Sequence, residues 1–138
     1  MRIKALAIAA MAAGTLATAA APASAVANWQ PVDTTPTWEC SRERVHQVSN
    51  NIKFKVCTIR NANNDAQGVL VVQHSGTAPA VISGEVVTNF GSNTACAGSQ
   101  LNAGFTRGCF APTVHVGSGG TLAINARLRV NGVDQWYI

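Results

Sequence analysis

From Thr121 to Val130 the chain alternates without a break. Leu122, Ile124, Ala126, Leu128 and Val130 fall on one side, and Thr121, Ala123, Asn125, Arg127 and Arg129 on the other. A repeat of two is the signature of an extended strand with one face in water, because successive side chains point to opposite faces. Asn131-Gly132 follows. That dipeptide suits a type I′ turn, whose two central residues both need positive φ. Pairing Val130 with Val133 sets the register of a hairpin. Leu128 then faces Gln135, Ala126 faces Tyr137, Arg129 faces Asp134, and Arg127 faces Trp136, where a cation–π contact is expected.

The same reading extends upstream. Residues 52–60 alternate, with Ile52, Phe54, Val56 and Thr58 on one face and Lys53, Lys55 and Cys57 on the other. Placing the lysines in water puts Cys57 on the outer face, where a bridge would tie an outer N-terminal segment to the sheet. Residues 68–74 contain Val69-Leu70-Val71-Val72, a run that fits a strand covered on both faces. Residues 80–90 place Ile82, Val86 and Phe90 inward and Ser83 and Glu85 outward; 106–110 and 113–116 read as shorter strands. Residues 28–37 form an extended leader in which Pro31 and Pro36 block a helix. Helical periodicity is confined to the first 25 residues. The expectation is an all-β, antiparallel two-sheet Ig-like sandwich of about six to eight strands, with a closed barrel as the alternative. Loops over 61–67, 75–79 and 91–100 would carry recognition.

The helical exception is an export signal. Arg2 and Lys4 precede an alanine-rich stretch over 5–21, and Pro22-Ala23-Ser24-Ala25 supplies the small residues of a cleavage site. Cleavage after Ala25 is the first expectation, and the second A-x-A, Ala25-Val26-Ala27, offers cleavage after Ala27. The organisation is a signal peptide over 1–25, a leader over 26–38 and a sandwich over 39–138. Removing the signal takes two basic residues and no acids, so the formal charge of +4 drops to +2. A basic whole-chain charge thus stops arguing for a nucleic-acid partner, and the product is expected to be extracellular with no membrane segment after cleavage.

Cys40, Cys57, Cys96 and Cys109 suit that compartment as two disulfides. The local pairings Cys40–Cys57 and Cys96–Cys109 are favoured among three, each worth roughly 3 kcal/mol in the chain-entropy model. Gaps of 16, 38 and 12 residues do not fit zinc, which uses closely spaced cysteine pairs.

No catalytic pattern stands out. His46, His74 and His115 lie in or beside different strands with no H-x-H or H-E-x-x-H spacing, and no G-x-S-x-G elbow occurs. No cofactor, metal or phosphate-cradling motif is present. Surface contact is assigned to Trp136, Arg127, Lys53 and Lys55. Arg42, Arg44, Lys53 and Lys55 form the tightest basic group, and Trp29, Trp38, Trp136 and Tyr137 could line a sugar-binding face if exposed together.

Val56-Cys57-Thr58, Arg107-Gly108-Cys109-Phe110-Ala111-Pro112-Thr113 and Val130-Asn131-Gly132-Val133 give the mature chain a style that resembles small secreted proteins of actinobacterial type with an Ig-like sandwich. This resemblance carries over no functional residue. The chain departs from enediyne-binding apoproteins, which are acidic with shorter disulfide loops, and lacks the reactive-loop cysteine context of secreted subtilisin inhibitors. The expected function is a secreted, non-catalytic binding module for a cell-wall polymer or extracellular protein. The alternatives are a protease inhibitor presenting the Cys96–Cys109 loop, with Leu101 or Arg107 as its specificity residue, and a small hydrolase.

Overall fold

Alternating β-branched residues become strands here because the pleat sends one half of them to a shared interior. The computed structural model describes residues 26–35 and 37–138. The expected signal segment over 1–25 and Pro36 lie outside the described residues. In chain order the strands are β1 (Val26–Ala27), β2 (Gln30–Pro31), β3 (Glu39–Cys40), β4 (Arg44–His46), β5 (Ser49–Arg60), β6 (Asp65–His74), β7 (Ala80–Thr88), β8 (Thr94–Leu101), β9 (Thr106–Phe110), β10 (Val114–His115), β11 (Ile124–Val130) and β12 (Val133–Tyr137). Among the described residues there is no helix.

Two sheets result. One runs β1-β8-β7-β11-β12, and the other β2-β9-β6-β5-β3, with β4 added beside β5 and β10 beside β6. Ile52, Phe54, Val56, Leu70 and Val72 of the second sheet meet Ile82, Val86, Ala126, Leu128 and Val130 of the first in one core. The sandwich therefore replaces the barrel alternative. Seven strands have five residues or more, as the run count anticipated.

The C-terminal hairpin has the register that the alternation dictates: Val130 opposes Val133, Arg129 opposes Asp134, Leu128 opposes Gln135, Arg127 opposes Trp136 and Ala126 opposes Tyr137. Asn131 and Gly132 take φ of 49° and 87°, as the turn requires. The apolar run in β6 is covered on both faces. Leu70 and Val72 enter the main core, while Val69 and Val71 join Cys57 in a second cluster under Val32, Trp38 and Phe110. The leader supplies Val32 and Trp38 of that outer cover, and β9 supplies Phe110. Cys40 sits directly opposite Cys57 and bridges to it, so the disulfide lies on the outer side, where the lysine alternation put it.

Three expectations change. Residues 91–100 are not a loop, because β8 occupies most of them. Its Ala-Cys-Ala-Gly-Ser stretch lacks β-branched residues, and the strand is held by backbone pairing with β7 and by Cys96 in the core. The leader is not separate from the sandwich: β1 pairs with β8 and β2 with β9. Phe90 lies past the end of β7, in the turn that follows.

A disulfide and a buried imidazole are among the ties that cross between the sheets. Cys96 of β8 bridges to Cys109 of β9, with Cα atoms 5.9 Å apart. At the opposite side, buried His46 reaches from β4 to the Leu128 carbonyl of β11. Gly84 marks the tightest backbone approach, since a Cβ there would collide with the Arg127 carbonyl of the neighbouring strand.

Candidate functional site

The inner face of the second sheet continues past its apolar core at one end. Glu39 opposes Thr58 across β3 and β5, so both side chains point to the same face. Arg60 is two residues beyond Thr58 and shares that face. The facing wall is the Gly120-Thr121-Leu122 approach to β11. Between the walls lies a partly enclosed cleft of about 620 Å³, lined also by Thr37, Asn61 and Ala62.

Its walls are pinned from outside. Asn89 donates from Nδ2 to the Thr121 carbonyl (3.0 Å), and its Oδ1 accepts from Ala123 N–H (2.8 Å). Arg60 donates from Nη2 to the Gly117 carbonyl (2.8 Å), which ties β5 to the glycine-rich loop. Asn61 Oδ1 accepts from the N–H groups of Asn63 and Asp65 and shapes the β5–β6 turn. Among the described residues Glu39 makes no ion pair with Arg60 or any other cation. The cleft thus offers one carboxylate, one guanidinium, three threonine hydroxyls and the Asn61 amide to a polar ligand. A residue-type search could not have found it, because Glu39 and Arg60 become neighbours only through strand pairing.

The sequence-assigned surface residues fall on opposite sides of the molecule. Arg127 and Trp136 lie on the outer face of the five-stranded sheet, and Lys53 and Lys55 on the outer face of the other. Arg127 does not stack on Trp136. Its Nε is 3.0 Å from Glu85 Oε1 and its Nη1 2.9 Å from Asp134 Oδ1. Partial burial works against the charge, but the hydrogen bonds to Glu85 and Asp134 outweigh it and hold the guanidinium above its ordinary pKa. The cation–π pair at this corner is Arg44 over Tyr137, at 4.4 Å. The expected basic group is correspondingly dispersed: Lys53 and Lys55 line a groove of about 260 Å³ together with Asp33 and Glu43.

The aromatic residues are not gathered either. Trp29 Nε1 donates to the Ala97 carbonyl (2.7 Å). Trp38 meets Phe110 edge-on outside the second sheet. Tyr137 meets Phe54 edge-on and donates its hydroxyl to the Arg42 carbonyl (2.6 Å). Of these four aromatic residues Trp136 is the exposed one, and the other three are half-buried.

Each histidine serves a separate local purpose. His46 Nδ1 accepts from Val48 N–H (3.1 Å) and Nε2 donates to the Leu128 carbonyl (3.0 Å). His74 repeats that arrangement, accepting from Gly76 N–H (3.1 Å) and donating to the Ala78 carbonyl (2.6 Å). Two histidines therefore hold turns by accepting from the amide two residues ahead. His115 meets Asp65 at 3.1 Å on the surface. Ser92, a buried hydroxyl that sequence patterning passed over, donates to the Pro112 carbonyl (2.7 Å) and accepts from Gly68 N–H (3.0 Å). Both of its bonds are structural.

The Cys96–Cys109 segment is mostly strand. Leu101, an expected specificity residue, is only 1% exposed at the end of β8, and Arg107 lies within β9 opposite Val72 and Pro31. Only Asn102–Phe105 remains as a turn, held by Gly104 N–H donating to the His74 carbonyl (2.7 Å). Among the described residues no group of three His, Cys, Asp or Glu side chains could hold a metal ion. No family model, curated protein or solved structure matches this chain.

Proposed function

We propose that this chain is an exported, non-catalytic Ig-like module that binds a polar cell-wall polymer in its end cleft. The observation that carries the reading is the cleft itself, where Glu39 and Arg60 share one face without pairing and hydroxyls surround them. A polymer bearing hydroxyls and charges of both signs is complementary to that lining. The sequence of 1–25 and the two closed disulfides support an extracellular setting. The strand orders β9-β6-β5 and β8-β7-β11-β12, joined by crossings between sheets, support the Ig-like topology. The non-catalytic reading rests on histidines and a buried serine engaged at separate places.

The test is co-sedimentation of the exported protein with insoluble cell-wall polymer across a salt series. Binding that Glu39→Gln and Arg60→Gln each weaken is the expected result, with the thermal midpoint of Glu39→Gln unchanged. Binding unaffected by both substitutions, or no binding to any fraction, overturns the cleft assignment. Stoichiometric inhibition of a protease would replace it with the inhibitor reading.

A further inference from the structure

The floor of the end cleft holds a side chain whose polar group is unused. Thr58 is 8% exposed, whereas Glu39 and Arg60 stand exposed at the rim. Among the described residues the Thr58 hydroxyl has no hydrogen-bond partner. Strand pairing supplies the reason. Across β6 it faces Gly68, which has no side chain to offer. Across β3 it faces Glu39, whose carboxylate makes no bond to it. Ser92, by contrast, is buried with both of its hydrogen bonds made inside the protein. A buried hydroxyl left unpaired is costly and uncommon in folded proteins. Among the described residues, every side-chain nitrogen or oxygen fully sealed from solvent has a partner. The small surface that Thr58 keeps therefore includes its oxygen, and that oxygen opens on the cleft.

Donors and acceptors decide what fits there. A hydroxyl both donates and accepts, whereas the Glu39 carboxylate only accepts. Glu39 lies directly across from Thr58 on the same face. A ligand hydroxyl lodged between them accepts from Thr58 and donates to Glu39, so one atom satisfies both. A carbonyl or phosphate oxygen has no proton for Glu39, and an amide N–H or ammonium has no lone pair for Thr58. Arg60 adds no charge at the floor, because the Gly117 carbonyl holds its guanidinium toward the loop wall. The cleft volume of about 620 Å³ is in the range that encloses a small organic ligand, which a sugar ring and its neighbour match.

We propose that the cleft is a saccharide site in which a ring hydroxyl of the polymer enters first, accepting from Thr58 and donating to Glu39, while charged substituents stay at the rim beside Arg60. This rests on the cleft reading given above and names the part of the polymer that the cleft holds.

Thr58→Val removes the hydroxyl and keeps the branched shape. In co-sedimentation of the exported protein with insoluble cell-wall polymer, it is expected to weaken binding about two- to ten-fold, the range of one hydrogen bond. Thr58→Ser keeps the hydroxyl and is expected to keep the binding. The thermal midpoint of Thr58→Val is expected to be no lower than that of the native protein, since no internal bond is lost. A lowered midpoint overturns the proposal, because the hydroxyl would then have a structural partner. Equal loss of binding in Thr58→Ser and Thr58→Val assigns the effect to packing and overturns it as well. Full binding by Thr58→Val, with Glu39→Gln and Arg60→Gln still weakened, overturns the inserted hydroxyl and leaves the cleft reading standing. No binding by the native protein overturns both.

Chemical treatment of the polymer is the second measurement. Acetylating its hydroxyls is expected to abolish sedimentation of the protein, and mild base, which removes the esters, to restore it. Binding unmoved by acetylation, or a loss that base does not reverse, overturns the hydroxyl contact. Loss of binding after peptidase digestion of the polymer overturns the saccharide assignment.

Discussion

His46 Nε2 lies 3.0 Å from the carbonyl oxygen of Leu128, 82 residues away in sequence, and joins the two sheets through a buried imidazole. The other nitrogen accepts from Val48 N–H, so both ring positions are satisfied only by the neutral tautomer. A proton added at Nδ1 would point a second donor at the Val48 amide.

Desolvation pushes the His46 pKa below its ordinary 6.5, against the pull of the Leu128 carbonyl. The unfolded chain therefore binds this proton more readily than the folded one. Stability from this site is fully present above the unfolded value and falls as the pH drops below it, toward the lowered folded value. Thermal midpoints of the native protein and of His46→Gln are expected to converge as the pH is lowered from about 7 to about 5. A constant difference across that range would sink the assignment.

Gly84→Ala is expected to cost about 3 kcal/mol. The new methyl group would collide with the Arg127 carbonyl, a backbone atom fixed by pairing of β7 with β11, and would approach the Leu70 side chain. Urea unfolding measures the loss, and Gly98→Ala, where a Cβ meets nothing within 4 Å, serves as the comparison.

Asn131 does more than turn the chain. Its backbone N–H donates to the Val81 carbonyl and its Oδ1 accepts from Val81 N–H, both at 2.9 Å. Asn131→Gly keeps the positive φ and loses the side-chain bond, for about 1 kcal/mol. Asn131→Ala adds backbone strain and is expected to cost about 2 kcal/mol. Equal losses in chemical denaturation would mean that the φ requirement contributes nothing.

Arg127 is the hub of the outer ion pairs, 2.9 Å from Asp134, whereas Arg129 is 3.5 Å from the same carboxylate and more exposed. Arg127→Ala is expected to lower stability by about 1 kcal/mol and Arg129→Ala by less than about 0.5 kcal/mol. The gap should narrow in high salt. A larger effect at Arg129 contradicts the geometry.

The hairpin and the placement of Cys57 were legible because period two and an Asn-Gly turn leave one register that buries the apolar face. The double covering of β6 was legible too, since Val69 and Val71 alternate with Leu70 and Val72 and all four need shelter. Strand β8 was not, because its small residues carry no periodic signal and its place is fixed by β7 and the Cys96 bridge. The cation–π expectation at Trp136 failed for a related reason. Register brought Arg127 beside Trp136, but Glu85 arrived from a third strand and took the guanidinium. The cleft was illegible throughout: Glu39 is ordinary in sequence until β3 sets it opposite Thr58.

The sequence alone determined the strand class, the hairpin register and the face on which Cys57 lies, because these depend on the two-residue repeat and on local turn stereochemistry. Only the tertiary structure decided which edges the leader would close, what His46 and Ser92 would bond to, and where a polar cleft would open. Those depend on carbonyls and amides brought together from strands distant in the chain. No local pattern encodes such meetings, since the partner that His46 finds in Leu128 and those that Ser92 finds in Gly68 and Pro112 lie 20 to 82 residues away.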